Sequence, residues 1–269
     1  MRALSRIIVF SCLMTSSLLS FALENTTDKT PVKPKEPFRL KYNGFLHAAL
    51  DTTLSPAFYV PAALATIAFY DDIGRELSEE TREDHPFWGD RERAAEKSND
   101  FRTFTSISMI SSSLLFVDNG YKYVISNLGF DALASFSANE ARSLLRDGNR
   151  RGRPNGNEKS FPSGHATAAG ARVALSNYNI FRSNLKPQTK WILATTNWTL
   201  AYMVGYSRIE SHNHYPEDVL AGIAIGYWTA NVLKKTFTNT FPSKTTENWT
   251  LVPYGTSDET GLYAYFTWD

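Results

Sequence analysis

Three short segments concentrate side chains able to hold and cleave a phosphate ester. The first, Arg146-Asp147-Gly148-Asn149-Arg150-Arg151-Gly152-Arg153-Pro154, packs four arginines into nine residues; by itself such a run reads as a solvated loop. The second, Pro162-Ser163-Gly164-His165, opens an alanine-rich stretch (Ala166, Ala168, Ala169, Ala171, Ala174) that reads as a helix. A Ser-Gly-His helix entry presents free backbone N–H groups, a hydroxyl and an imidazole at one point, and the positive helix end favours an anion there. The third is Ser207-Arg208, with His214 six residues after the arginine and Asp218 four residues further on. If that turn is helical, the spacing puts His214 and Asp218 on one face. The carboxylate would then accept the second imidazole N–H and fix the tautomer of a nucleophile.

In this combination the sequence resembles the type 2 phosphatidic acid phosphatase (PAP2) superfamily, which also includes bacterial acid phosphatases and vanadium haloperoxidases. The family pattern is Lys-x6-Arg-Pro, then Pro-Ser-Gly-His, then Ser-Arg-x5-His-x3-Asp, and ten of its eleven fixed positions occur here in order. Arg146 stands where the family has lysine, which keeps the charge but replaces a compact ammonium by a planar fork. The resemblance implies that Arg146, Arg153, Arg208, the Ser163 hydroxyl and the Gly164 N–H hold the phosphate oxygens. His214 would attack phosphorus, Asp218 would orient it, and His165 would protonate the leaving group and later activate water. Arginine charge takes the place of metal in this scheme, so neither a metal nor another cofactor is expected. His47 and His85 read as surface or structural histidines, and Glu210 and Glu217 as rim residues. His212 competes with His214, but only His214 satisfies both the arginine and the aspartate spacing.

The elements that must position these segments read as helices. Thr103–Val117, Trp191–Tyr206 and Val219–Leu233 are uncharged runs of about 15 residues, short of the ~18 that signal a membrane helix. They suit a compact, mainly α-helical bundle of the PAP2 type spanning residues 44–244. Within it, residues 44–70 are apolar but interrupted by Pro56 and Pro61, which favours a buried or interfacial helix over a membrane span. The acidic stretch 71–100 reads as one or two solvated helices broken near Pro86. Residues 245–269 carry two aromatic and β-branched runs around a Gly-rich turn, the pattern of a β-hairpin or packing tail.

Ahead of the bundle, residues 1–22 have the form of a secretory signal peptide. Arg2 and Arg6 lead a 13-residue uncharged core, Ile7–Leu19, and Ser20-Phe21-Ala22 supplies the small-x-small cut. Residues 23–43 form a proline-containing extended lead-in. The only cysteine, Cys12, lies inside the signal, so the mature chain offers no disulfide or thiol chemistry. A hydrophobic share of 42% against 20% charged residues excludes a disordered chain, and a net charge of +1 excludes a whole-protein field for nucleic acid. The sequence therefore predicts an exported, periplasmic, membrane-associated phosphatase. Its partner would be a phosphorylated small molecule or lipid, with lipid phosphates and isoprenoid diphosphates among the candidates, and no nucleic acid. Two other readings share the motifs: a vanadium haloperoxidase, and an exported binding protein whose site has decayed.

Overall fold

A computed structural model describes residues 42–70, 73–85, 87–149, 151–240, 249–255 and 260–266. The expected signal peptide (1–22) and nearly all of the expected lead-in (23–43) lie outside the described residues. Helix α1 (Tyr42–Thr53) meets α2 (Pro56–Tyr70) at a 56° bend. Pro56 has no N–H to continue α1 and biases the residue before it away from helix, so the break falls at Leu54-Ser55. No single described helix is long and apolar enough to cross a membrane; the bent α1–α2 pair reaches that length and composition together.

The acidic stretch becomes α3 (Ile73–Asp84) and the first turns of α4 (Arg91–Ser113), separated by a loop through His85. Asp90 caps α4 by accepting from the Arg93 N–H at 2.7 Å. One helix thus joins the charged stretch to the apolar run that begins at Thr103. A 3₁₀ turn (Leu114–Asn119) and Gly120, at φ 91°, lead into α5 (Tyr121–Asp147). Then come α6 (Gly164–Arg182), α7 (Pro187–Glu210) and α8 (Pro216–Thr240). Beyond them Trp249–Gly255 runs antiparallel to Thr260–Phe266, while the turn expected between the two lies outside the described residues.

The bundle is centred on α6 and α8. A Cβ on Gly226 would run into Thr167 O, and one on Gly170 into Ile223 O, so the two helices touch backbone to backbone. Around this seam pack Val173, Leu175, Val204, Ile223 and Ala230, with α2, α5 and α7 outside them. Because α6 begins at Ser163-Gly164 and α8 at Pro216, this tight seam fixes the second and third motif segments against each other.

A polar cluster lies inside the same bundle. Lys234 on α8 is 1% exposed and bonds Asp131 Oδ1 and Asn127 Oδ1 on α5, each at 2.5 Å. Asp131 Oδ2 accepts from Asn179 on α6 at 2.8 Å and from Ser113 at 3.0 Å. A buried charge needs a counter-ion and hydrogen-bond partners, and Lys234 has Asp131 as counter-ion and two acceptors for its ammonium.

Candidate active site

His214 sits in the turn between α7 and α8. At the end of α7 the chain turns through His212, whose φ of 58° is left-handed, and the His214 N–H donates to Arg208 O at 3.2 Å. The ring is buried, and its Nδ1–H donates to the Ser160 carbonyl at 2.7 Å. Nε2 is therefore the unprotonated nitrogen. Burial, with Arg208 and Arg153 nearby, holds the His214 pKa well below the ordinary 6.5, so the ring stays neutral.

Asp218 acts differently from the i,i+4 expectation, because His214 precedes α8 and is not part of it. Pro216 takes the first helical position and Asp218 the third, where its Oδ2 accepts from the Tyr215 N–H at 2.9 Å, half of a capping box. The same oxygen accepts from the Ser160 hydroxyl at 2.5 Å and lies 3.9 Å from His214 Nδ1. Asp218 thus holds Ser160, and Ser160 holds the imidazole. Burial pushes the Asp218 pKa up to about 6, against the pull of Ser160, Arg151 and the Tyr215 N–H. Arg151, from the first motif, pairs with both Asp218 and Glu217 and stacks 4.4 Å over Tyr215. Glu217 and Glu210 are not rim residues: they are 2% and 0% exposed, and Glu210 accepts from the Trp88 N–H at 2.7 Å.

Ser163 begins α6 without capping it. Its N–H donates to Asp218 O at 3.0 Å, which ties the α6 and α8 starts together. Its buried Oγ has no partner among the described residues, and neither do the buried Nε atoms of Arg142, Arg153 and Arg208. A buried donor without a partner costs about 1–3 kcal/mol, and four around one spot are what a bound anion would satisfy.

The three arginines line a cleft of about 530 Å³, together with Arg102, Lys159, Arg172, Gly164, His165 and His214. Of the residues expected at the site, Arg153, Gly164, His165, Arg208 and His214 line the cleft, whereas Ser163 and Asp218 are fully buried and do not. Arg146 does not line the cleft. Helix α5 continues through Asp147, and Arg146 Nε bonds that neighbour's carboxylate at 3.1 Å. Arg142, one turn earlier, faces the cleft, and its Nη1 would lie 3.3 Å from a Cβ on Gly164. Arg150 is outside the described residues.

His165 opens α6, and its Nε2 lies 3.0 Å from Asn99 Oδ1 on α4. Oδ1 can only accept, so Nε2 carries the proton. Burial, then Arg208, Arg102, Arg153 and Arg172, press the His165 pKa down to about 3. Sequence reasoning did not find Ser160, Arg142, Asn99, Arg102 or Arg172. Arg142 and Arg172 could have been found from helical period, being one turn before Arg146 and two turns after His165. Asn99 and Arg102 carry no local signal, since only the fold brings α4 to this place. Among the described residues, no three His, Cys, Asp or Glu side chains converge as a metal-ligand set.

A helical bundle with a cationic cleft, a neutral buried imidazole and a Ser-Gly-His helix entry is an arrangement able to hold a phosphate. Residues 113–242, the stretch that holds all three motif segments, match the family model of the PAP2 superfamily. Its fold is similar to the crystal structure of the first transmembrane PAP2 type phosphatidylglycerolphosphate phosphatase from Bacillus subtilis, with a TM-score of 0.51 and 18% sequence identity. That similarity covers 66% of this chain and 92% of the other. No curated protein sequence matches.

Proposed function

We propose that the chain is an exported phosphatase that hydrolyses lipid-like phosphomonoesters, without metal, through a phosphohistidine on His214. The observation that carries this reading is the neutral His214 ring, with Nδ1 tied to Ser160 O and Nε2 left free, beside unpartnered donors from Ser163, Arg142, Arg153 and Arg208. Export rests on the signal-like residues 1–22. The lipid leaving group rests on the phosphatidylglycerolphosphate phosphatase of similar fold and on Phe136, which lines the cleft and is 61% exposed at its edge.

In the first step, the Nε2 lone pair forms a bond to phosphorus as the P–O bond to the alcohol breaks. The electron pair leaves on oxygen, which His165 protonates. The bound dianion offsets the arginine field that depresses His165, so its pKa rises once substrate is present. In the second step, water attacks phosphorus, gives its proton to His165, and breaks the P–N bond. Orthophosphate leaves and both imidazoles return to their starting states. Asp218, 3.9 Å from Nδ1, stabilises the charge on the intermediate.

The purified full chain is expected to release phosphate from phosphatidic acid and phosphatidylglycerol phosphate faster than from sugar phosphates or nucleotides, with undiminished rate in excess chelator. Loss in chelator, restored by a divalent cation, would contradict metal-free catalysis. The same assay separates the two arginines of α5. Arg142→Ala is expected to lower kcat/KM by ~10²–10³-fold, the cost of a donor lost from a preorganised anion site. Arg146→Ala should cost only a few-fold, because its guanidinium is engaged with Asp147 outside the cleft. The opposite order would return the role to Arg146.

A further inference from the structure

One contact of the site comes from outside the matched stretch 113–242. Asn99 lies on α4, and its Oδ1 accepts the Nε2–H of His165 on α6 at 3.0 Å. Among the described residues this is the hydrogen bond that the His165 ring makes, and no carboxylate forms an ion pair with it. Asparagine is a poor helix former, and Asn99 stands in the interior of α4, not at its cap. Its amide oxygen is spent across the gap to α6.

The residues after Asn99 clamp α4 in place. Arg172 Nη1 on α6 donates to Arg102 O at 3.2 Å. Two turns further on, Ser108 Oγ lies 2.9 Å from Ser176 Oγ of α6 and donates to Asn197 Oδ1 of α7 at 2.6 Å. Asn99 is thus carried on a helix pinned to both neighbours, as holding a ring in one orientation requires. The charged groups around that ring are cations: Arg102 on α4, Arg153 before α6, Arg172 on α6 and Arg208 on α7. Arg142, Lys159 and the His214 imidazole share the same cleft. Lys97 and Asp100, which flank Asn99 on α4, pair with each other at 2.8 Å. In such a field a protonated His165 has the Asn99 oxygen as its acceptor, and a hydrogen bond to the charged form favours that form.

We propose that Asn99 is the positioning residue of the acid–base imidazole: it holds His165 by Nε2–H, so that Nδ1 takes up and gives away the proton. This rests on the reading of His165 as the group that protonates the leaving oxygen. As the P–O bond breaks, its electron pair stays on the departing oxygen, which receives the Nδ1 proton of the imidazolium. Nδ1 regains a proton from the water that attacks the phosphohistidine, and Nε2–H stays on Asn99 throughout. An amide oxygen suits this exchange, because it accepts the same N–H in both states of the ring and does not itself titrate.

Two esters with different leaving groups test this on the full chain. Phosphatidic acid loses an alkoxide that must be protonated, whereas p-nitrophenyl phosphate loses a phenolate that departs unaided. In kcat/KM, which reports the steps through phosphohistidine formation, Asn99→Ala is expected to cost ~10-fold or more on phosphatidic acid. On p-nitrophenyl phosphate it should cost no more than ~3-fold. His165→Ala should cost ~10²–10⁴-fold on phosphatidic acid, and adding Asn99→Ala to it should cost nothing further. Equal losses on both esters for Asn99→Ala, or losses that multiply in the double variant, would make the contact merely structural and overturn the proposal. Imidazole NMR reads the hold on the ring without turnover. The Nε2–H tautomer of His165 should give way to a mixture in Asn99→Ala. Asn99→Asp, which sets a carboxylate against the ring, should raise its pKa by ~1 unit or more. The ring then stays protonated to higher pH, and kcat/KM should begin its fall at higher pH than in the wild type. A ring unchanged in both variants would equally overturn the proposal. A ring that responds while His165→Ala costs both esters the same would defeat the reading of His165 as the acid and leave Asn99 as its anchor.

Discussion

Replacing His214 by alanine is expected to lower kcat by ~10⁴-fold or more, the scale on which losing a covalent nucleophile acts. The reason is geometric. Nδ1 is committed to Ser160 O, so Nε2 carries the lone pair, and the ring is kept neutral by burial and by Arg208 and Arg153. The His165 ring is also neutral, with its Nε2–H on Asn99, but only His214 has a carboxylate within 4 Å among the described residues, Asp218 at 3.9 Å from Nδ1, to stabilise the charge a nucleophile acquires. His212, two residues away, stacks on His85 with ring centroids 5.1 Å apart and does not line the cleft. His212→Asn, which tolerates the left-handed backbone there, should keep most of the activity. Steady-state kinetics on both variants checks the contrast. A crippled His212→Asn beside an active His214→Ala would reverse the assignment.

The largest effect on stability is expected at Lys234. Lys234→Met leaves the Asp131 carboxylate in the bundle interior with no counter-ion, and breaking one side of a buried pair costs ~3–5 kcal/mol. Asp131 would retain the hydrogen bonds from Ser113 and Asn179, so the loss should fall toward the lower part of that range. Pairing Lys234→Met with Asp131→Asn removes the orphan charge and should recover much of the deficit. Urea denaturation measures all three. A single Lys234→Met variant as stable as the starting protein would show that the pair contributes nothing to the fold.

Much of the site was legible because its chemistry is written in local spacing. Pro162–His165 reads as a helix entry, and α6 begins there. The helical class was legible for a similar reason: the uncharged runs 191–206 and 219–233 fall inside α7 and α8, and the run 103–117 fills the end of α4 and passes into the 3₁₀ turn Leu114–Asn119. The misreadings have a common cause: spacing does not reveal where a helix stops. His214 and Asp218 looked like one helical face, but Pro216 starts α8 between them, so contact runs through Ser160. Arg146 looked like a loop residue, but α5 carries it past the cleft and leaves Arg142 there. Asn99 and Arg102 were hidden for another reason. They lie in a stretch that reads as solvated helix, and only the docking of α4 on α6 turns one of its faces inward. Glu210 and Glu217, charged and near the motifs, gave no sign that backbone donors and Arg151 would bury them.

The central claim is that phosphorus is transferred to His214 before water takes it. Rapid quenching of the wild-type chain during turnover of a phosphate-labelled substrate tests this most directly. The expected result is a base-stable, acid-labile label that appears within the first turnover, maps to the peptide containing His214, and is absent from His214→Ala. Full-rate hydrolysis with no labelled protein at any time, or a label mapped to His165 or His212, would contradict the account.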